Sequence, residues 1–139
     1  RPSDQPPLQT FRRRLPMAHP ATLRLDLLQS AGKLSPAARQ AADGLVQSLQ
    51  HQLSDPMESP DAIRLVTHLA LACQRVVDKT AAPPPSPAVL TEIAPYLEER
   101  ALAQQLLDQA GAILGAPFPE AEVAYLTMHL VVARTEESR

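Results

Sequence analysis

Ser59-Pro60-Asp61-Ala62-Ile63-Arg64-Leu65-Val66-Thr67-His68-Leu69-Ala70-Leu71-Ala72-Cys73-Gln74-Arg75-Val76-Val77 decides the fold of this chain. Ser59 before Pro60 is a helix start. The hydroxyl can cap the first turn, and proline's fixed φ and missing N–H cost nothing there. Leu65, Val66, Leu69, Cys73, Val76 and Val77 then recur at three- and four-residue spacing, which predicts one buried helical face. Upstream, Ser35-Pro36 opens a second segment, 37–53. It places Ala38, Ala42, Leu45, Val46, Leu49 and Leu53 on one face and Arg39, Asp43, Gln47 and Gln50 on the other. Downstream, 96–114 carries Leu102, Leu106, Ala110 and Ile113, flanked by Ala103, Leu107 and Leu114, and is stopped by Gly115 and Pro117. Segment 120–134 follows Pro119 and is apolar nearly all round, from Val123 to Val132, which predicts a central, buried helix.

Proline marks the boundaries between these segments. The chain has 15 prolines and 4 glycines. From Pro36 onward the prolines fall between the periodic stretches, where they do not break helix interiors. Residues 83–87 read as a rigid, polyproline-like connector, with a short helix from Pro87 to about Ala94. Leu23-Arg24-Leu25-Asp26-Leu27 alternates like a strand, but a helix over about 21–31, ended by Gly32, competes with it and is favoured. Residues 1–20 hold five prolines and Arg12-Arg13-Arg14, and read as a linker. The expected architecture is all-α. A compact bundle of four substantial helices and one short one spans 36–134, with a linker and possible short helix in 1–35 and a tail in 135–139.

Composition excludes several classes. At 139 residues the chain is long enough for one domain with a real core and too short for two ordinary ones. Aromatics are only 3% with no Trp, against a β-sandwich or barrel. A net charge of −2 supplies no global basic field for nucleic acid. The single Cys73 leaves no internal disulfide or Cys-based zinc site, which predicts a reducing, cytoplasmic setting. No apolar run is long enough to span a membrane, and none reads as a signal segment. The chain starts with Arg rather than Met, so it is expected to be a piece of something longer.

The histidines are the candidate chemistry. His19 and His51 have no obvious partners and read as exposed surface residues. His68 lies on the polar side of its helix, with Arg64 one turn before and Arg75 two turns after, both within about 40° of it. Two cations hold an imidazole neutral and nucleophilic and can receive an anion placed on it. His129 is the polar exception in the apolar segment, with Glu122 two turns before it on the same side and Tyr125 one turn before. For both, a plain structural role competes with a chemical one. No nucleophile elbow, P-loop or HExxH is present, and neither metal nor cofactor is expected, so the chain does not read as an enzyme.

Asp61-Ala-Ile-Arg-Leu-Val-Thr-His68-Leu-Ala-Leu-Ala-Cys-Gln-Arg75 resembles the first His motif of PTS regulation domains (PRDs), in which Arg follows the His by seven residues. Pro119-Glu-Ala-Glu122-Val-Ala-Tyr-Leu-Thr-Met-His129-Leu-Val-Val-Ala133 resembles the second, where a proline, an acidic residue and an apolar run lead into a closing His. The family has Asp immediately before the first His; this chain has Thr67. The resemblance implies five helices packed as antiparallel pairs with one short helix across them. It also implies a regulatory domain of bacterial transcriptional antiterminators or activators of sugar-utilisation genes. Such domains are phosphorylated on His by the phosphocarrier protein HPr or an enzyme II B component, which shifts homodimer packing and controls an RNA- or DNA-binding domain elsewhere. His68 and His129 carry over as acceptors, His129 the better matched, with Arg75 and Glu122 as motif residues. Phosphoryl adds roughly two negative charges. Arg64 and Arg75 would receive it on His68, and Glu122 would repel it near His129. A helical homodimerisation module without phosphorylation is the alternative. Nucleic-acid binding through Arg12–14 is a third reading, weakened by so few phosphate contacts.

Overall fold

The computed structural model describes residues 19–80 and 82–137, the last two by their backbone alone. It contains α1 (Pro20–Ser30), α2 (Pro36–Leu53), α3 (Pro60–Asp78), α4 (Pro87–Ile93), α5 (Leu97–Leu114) and α6 (Glu120–Glu137). No strand occurs among the described residues. The N-termini of α2, α3 and α4 share one construction. Ser35, Ser59 and Ser86 accept the N–H of Ala38, Ala62 and Val89 at 3.2, 3.1 and 3.2 Å, each ahead of a first-turn proline. Such a cap contributes about 1 kcal/mol.

α1 is capped differently. His19 Nδ1 accepts the N–H of Ala21 at 3.1 Å, so its Nε2 carries the hydrogen and donates to the Pro56 carbonyl. His19 is therefore not the partnerless surface residue expected. It caps α1 and ties it to the turn after α2. His51 is exposed, as expected. At the other end of the chain Gly111 permits a close approach. A Cβ there would stand 2.8 Å from the Ala116 carbonyl oxygen, where the chain doubles back after α5.

α2 packs on α3 and α5, α5 packs on α6, α1 lies on α2 and α3, and α4 lies on α6. All six apolar residues expected inside from α2 are buried. α1 is a helix and not a strand. Leu25 is buried, while Leu23 and Leu27, one turn apart, are exposed. Ala21, Leu25 and Leu34 belong to the same core as α2 and α3. On α3 the buried stripe runs through Ala70, Ala72 and Cys73, and Val77 is exposed instead of buried. α6 is not buried all round. Val123, Ala124, Leu126, Thr127 and Leu130 face the core, and Val132 is half exposed. Its main neighbours are only α5 and α4. The expected linker up to residue 18, with Arg12–14, lies outside the described residues. Among those described, no helix is long and apolar enough to cross a membrane.

α3 and α6 approach each other through long side chains more than through close backbone packing. That junction holds most of the candidate residues.

Candidate functional site

Glu122, in the first turn of α6, is 2% exposed. A buried carboxylate loses several kcal/mol of hydration and must be compensated by donors. Two from α3 do so. His68 Nε2 lies 2.9 Å from Glu122 Oε1, and Arg75 Nη2 donates to Oε2 at 2.7 Å. Burial pushes the Glu122 pKa up, but the bonds and charges of His68 and Arg75 outweigh it and hold the carboxyl below its ordinary range. Glu122 is therefore ionised near neutrality, and His68 Nε2 is the protonated nitrogen facing it. In the neutral ring the lone pair then resides on Nδ1. The compensation is incomplete. Arg75 Nε is buried without a partner, the one such side-chain atom among the described residues.

Tyr125, one turn beyond Glu122, covers the His68 ring. The two rings stack with centroids 3.4 Å apart and planes 8° from parallel. On its other side Tyr125 meets His129, at 4.7 Å and 43°. The two histidines thus lie at either end of one tyrosine. Burial lowers the His129 pKa, the positive charges of His68 and Arg64 lower it further, and Asp61 only partly opposes them. The neutral ring is its favoured form. Cys73, beneath the site, is no nucleophile. Burial, aided by the Glu122 charge, pushes its thiol up to about 12.

His68, Arg75 and Glu122 converge across 54 residues of sequence or fewer. The pairing differs from expectation in two ways. Glu122 was expected beside His129; it bonds His68 instead, because α6 turns that face of its first turn toward α3. His68 was expected between two guanidiniums. Arg75 reaches it only through the carboxylate, and Arg64 is paired with Asp61 at 2.6 Å on an exposed surface. Arg64 and His68 do share a cleft of about 660 Å³ with Thr67 and Tyr125, and with Arg24 from α1. Arg24 was not singled out in the sequence. His129 opens the other way, onto a cleft of about 210 Å³ that includes Asp55, Asp61 and Leu65. No group of three or more potential metal ligands occurs among the described residues.

The family model of the PRD domain matches residues 43–133, most of the chain and both histidines of the junction. The chain belongs to the PRD domain family. A PRD domain is a regulatory domain of regulators controlled by the phosphotransferase system, and it interacts with components of that system. The match begins inside α2, so α1 and its Arg24 lie outside it. Searches of curated proteins and of solved structures found no match.

Two groups in this PRD domain make its stability pH-dependent. The folded pKa of His129 is depressed below 6.5, so the unfolded chain takes up that proton first as pH falls. Stability is fully present above that value and is lost below it. The folded pKa of Glu122 is likewise depressed, below 4.5, and its contribution is lost only at lower pH. Urea midpoints should fall on acidification in two stages. His129→Gln should flatten the first, which sets in as pH falls through the ordinary imidazole value. An unchanged first stage in that variant would contradict the assignment.

Proposed function

We propose that this PRD domain senses the phosphorylation state of the sugar phosphotransferase system. It takes a phosphoryl group on His68 or His129 from HPr or an enzyme II B component, and passes the change to an RNA- or DNA-binding domain of a transcriptional regulator. One observation carries the reading. The motif histidine His68 is held by an ionised, buried carboxylate that is itself shared with Arg75 across two helices. Glu122 orients the ring through Nε2 and leaves the Nδ1 lone pair as the attacking one, the arrangement of an activated imidazole nucleophile. The His68 Nδ1 bonds to phosphorus as the bond to the donor's own group breaks, and the negative charge that arrives competes with the Glu122 carboxylate for the positive charge around the ring. A junction built on one carboxylate and two donors opens under that competition, and α6 shifts relative to α3.

A homodimer is part of the proposal. The support comes less from α6 than from exposed apolar side chains elsewhere: Leu97 at 72%, and Leu23 and Leu27 on one side of α1. A symmetric pair is the usual means of covering such residues. Sedimentation at high protein concentration checks it, and a persistent monomer counts against it.

Phosphotransfer decides the central claim. The label should be acid-labile and alkali-stable. The double variant His68→Gln, His129→Gln should lose it, whereas His51→Gln and His19→Asn, which keeps a capping acceptor, should not. The rival reading, a dimerisation module without phosphorylation, requires that no phosphotransferase donor labels the chain.

A further inference from the structure

We propose that the cleft between α1 and α3 is an oxyanion site, in which Arg24, from the helix outside the family match, is the principal ligand beside Arg64 and His68. Five of the six arginines in the described residues are paired with carboxylates: Arg39, Arg64, Arg75, Arg100 and Arg134. Arg24 is the exception. Its Nη1 donates at 2.7 Å to Thr67 Oγ1, a neutral hydroxyl, and among the described residues it makes no ion pair. Thr67 is itself fixed, since its hydroxyl donates to the Ile63 carbonyl at 3.0 Å. A half-buried guanidinium is thus positioned by a neutral anchor, with no carboxylate paired to it among the described residues.

The cleft of about 660 Å³ places that charge with Arg64, Thr67, His68 and Tyr125, and among the described residues Glu58 is the one carboxylate on its lining. Two guanidiniums suit a compact tetrahedral dianion, and the His68 Nδ1 lone pair can accept from the one protonated oxygen of hydrogen phosphate. Guanidinium edges offer paired N–H donors to phosphate oxygens. The ligand is phosphate, either free or as the phosphoryl group on His68. The second source rests on the function proposed above; the first does not. Thr67 decides the site's character, because an acid there would neutralise Arg24 and repel the ligand.

Inorganic phosphate titrated into the full chain, followed by NMR at the arginine Nε–H groups and the His68 ring, tests this. Chloride at matched ionic strength is the reference. Saturable shifts are expected at Arg24 and Arg64. Arg24→Gln and Thr67→Asp should each weaken binding about tenfold or more, Arg24→Lys should weaken it less, and Arg100→Gln should not change it. Shifts that fail to saturate, or affinity unchanged in Arg24→Gln, overturn the proposal. A second arm compares the lifetime of the His68 label in wild type and Arg24→Gln, both carrying His129→Gln. A shorter lifetime in Arg24→Gln extends the site to the bound phosphoryl group, and an equal one confines it to free phosphate. If phosphate binds but no donor labels His68, the oxyanion site stands and the phosphorylation reading falls.

Discussion

Glu122→Ala should lower the Tm by roughly 10 °C. Removing one partner of a buried ion pair costs about 3–5 kcal/mol, because the charge left behind stays desolvated. Here the lower figure applies, since His68 and Arg75 are 24% and 30% exposed and regain some water. About 3 kcal/mol converts to roughly 10 °C for a domain of this size. Glu122→Gln keeps the shape and one acceptor, so it should cost about half as much. Adding Arg75→Met to Glu122→Gln should recover part of the loss, as expected when the penalty is an unpaired cation. A Tm for Glu122→Ala within about 2 °C of wild type would show that the carboxylate does not hold α3 to α6.

Leu126→Ala should cost a comparable amount by a different route. Leu126 is 0% exposed and sits one residue past Tyr125, on the buried stripe of α6. Truncating such a leucine costs about 3–5 kcal/mol, through lost transfer free energy and the cavity left behind. The denaturant midpoint should drop with little change in slope, since the surface exposed on unfolding is nearly the same. Val132→Ala on the same helix is the comparison. Val132 is 51% exposed, and its loss should cost less than about 0.5 kcal/mol. Equal effects at the two positions would mean that Val132 is covered in solution, as the proposed dimer could bring about.

Much of the fold was legible because its signals are local. A serine hydroxyl and the proline after it act within one turn, and they located the starts of α2 and α3, while Pro87 marked that of α4. The burial of α3 and α6 was less legible. Thr127 counts as polar in a pattern, yet it is fully buried, because its hydroxyl donates to the Val123 carbonyl at 2.7 Å within the same helix. Alanines 70 and 72 carry little weight in a periodicity and still fill the contact face of α3. The site was half legible. The motif residues His68, Arg75, Glu122 and His129 could be picked out singly. Their pairing could not, because spacing along α6 places Glu122 with His129 and says nothing of the helix opposite. Arg24 and Thr67 are 43 residues apart, and no pattern on either helix announces the bond. The cap by His19 was missed because an imidazole takes the role usually left to serine or aspartate.

The stacking of Tyr125 between two histidines also gives the protein an optical property. The chain has no tryptophan and two tyrosines. Tyr96 stands 40% exposed at the start of α5. Tyr125 is held against the His68 ring at 3.4 Å, in a fixed and asymmetric setting. The tyrosine part of the near-ultraviolet circular dichroism therefore comes mainly from a single ring in contact with both histidines. A charge arriving on either histidine, or a slip of α6 along α3, is written directly into that spectrum without any added label.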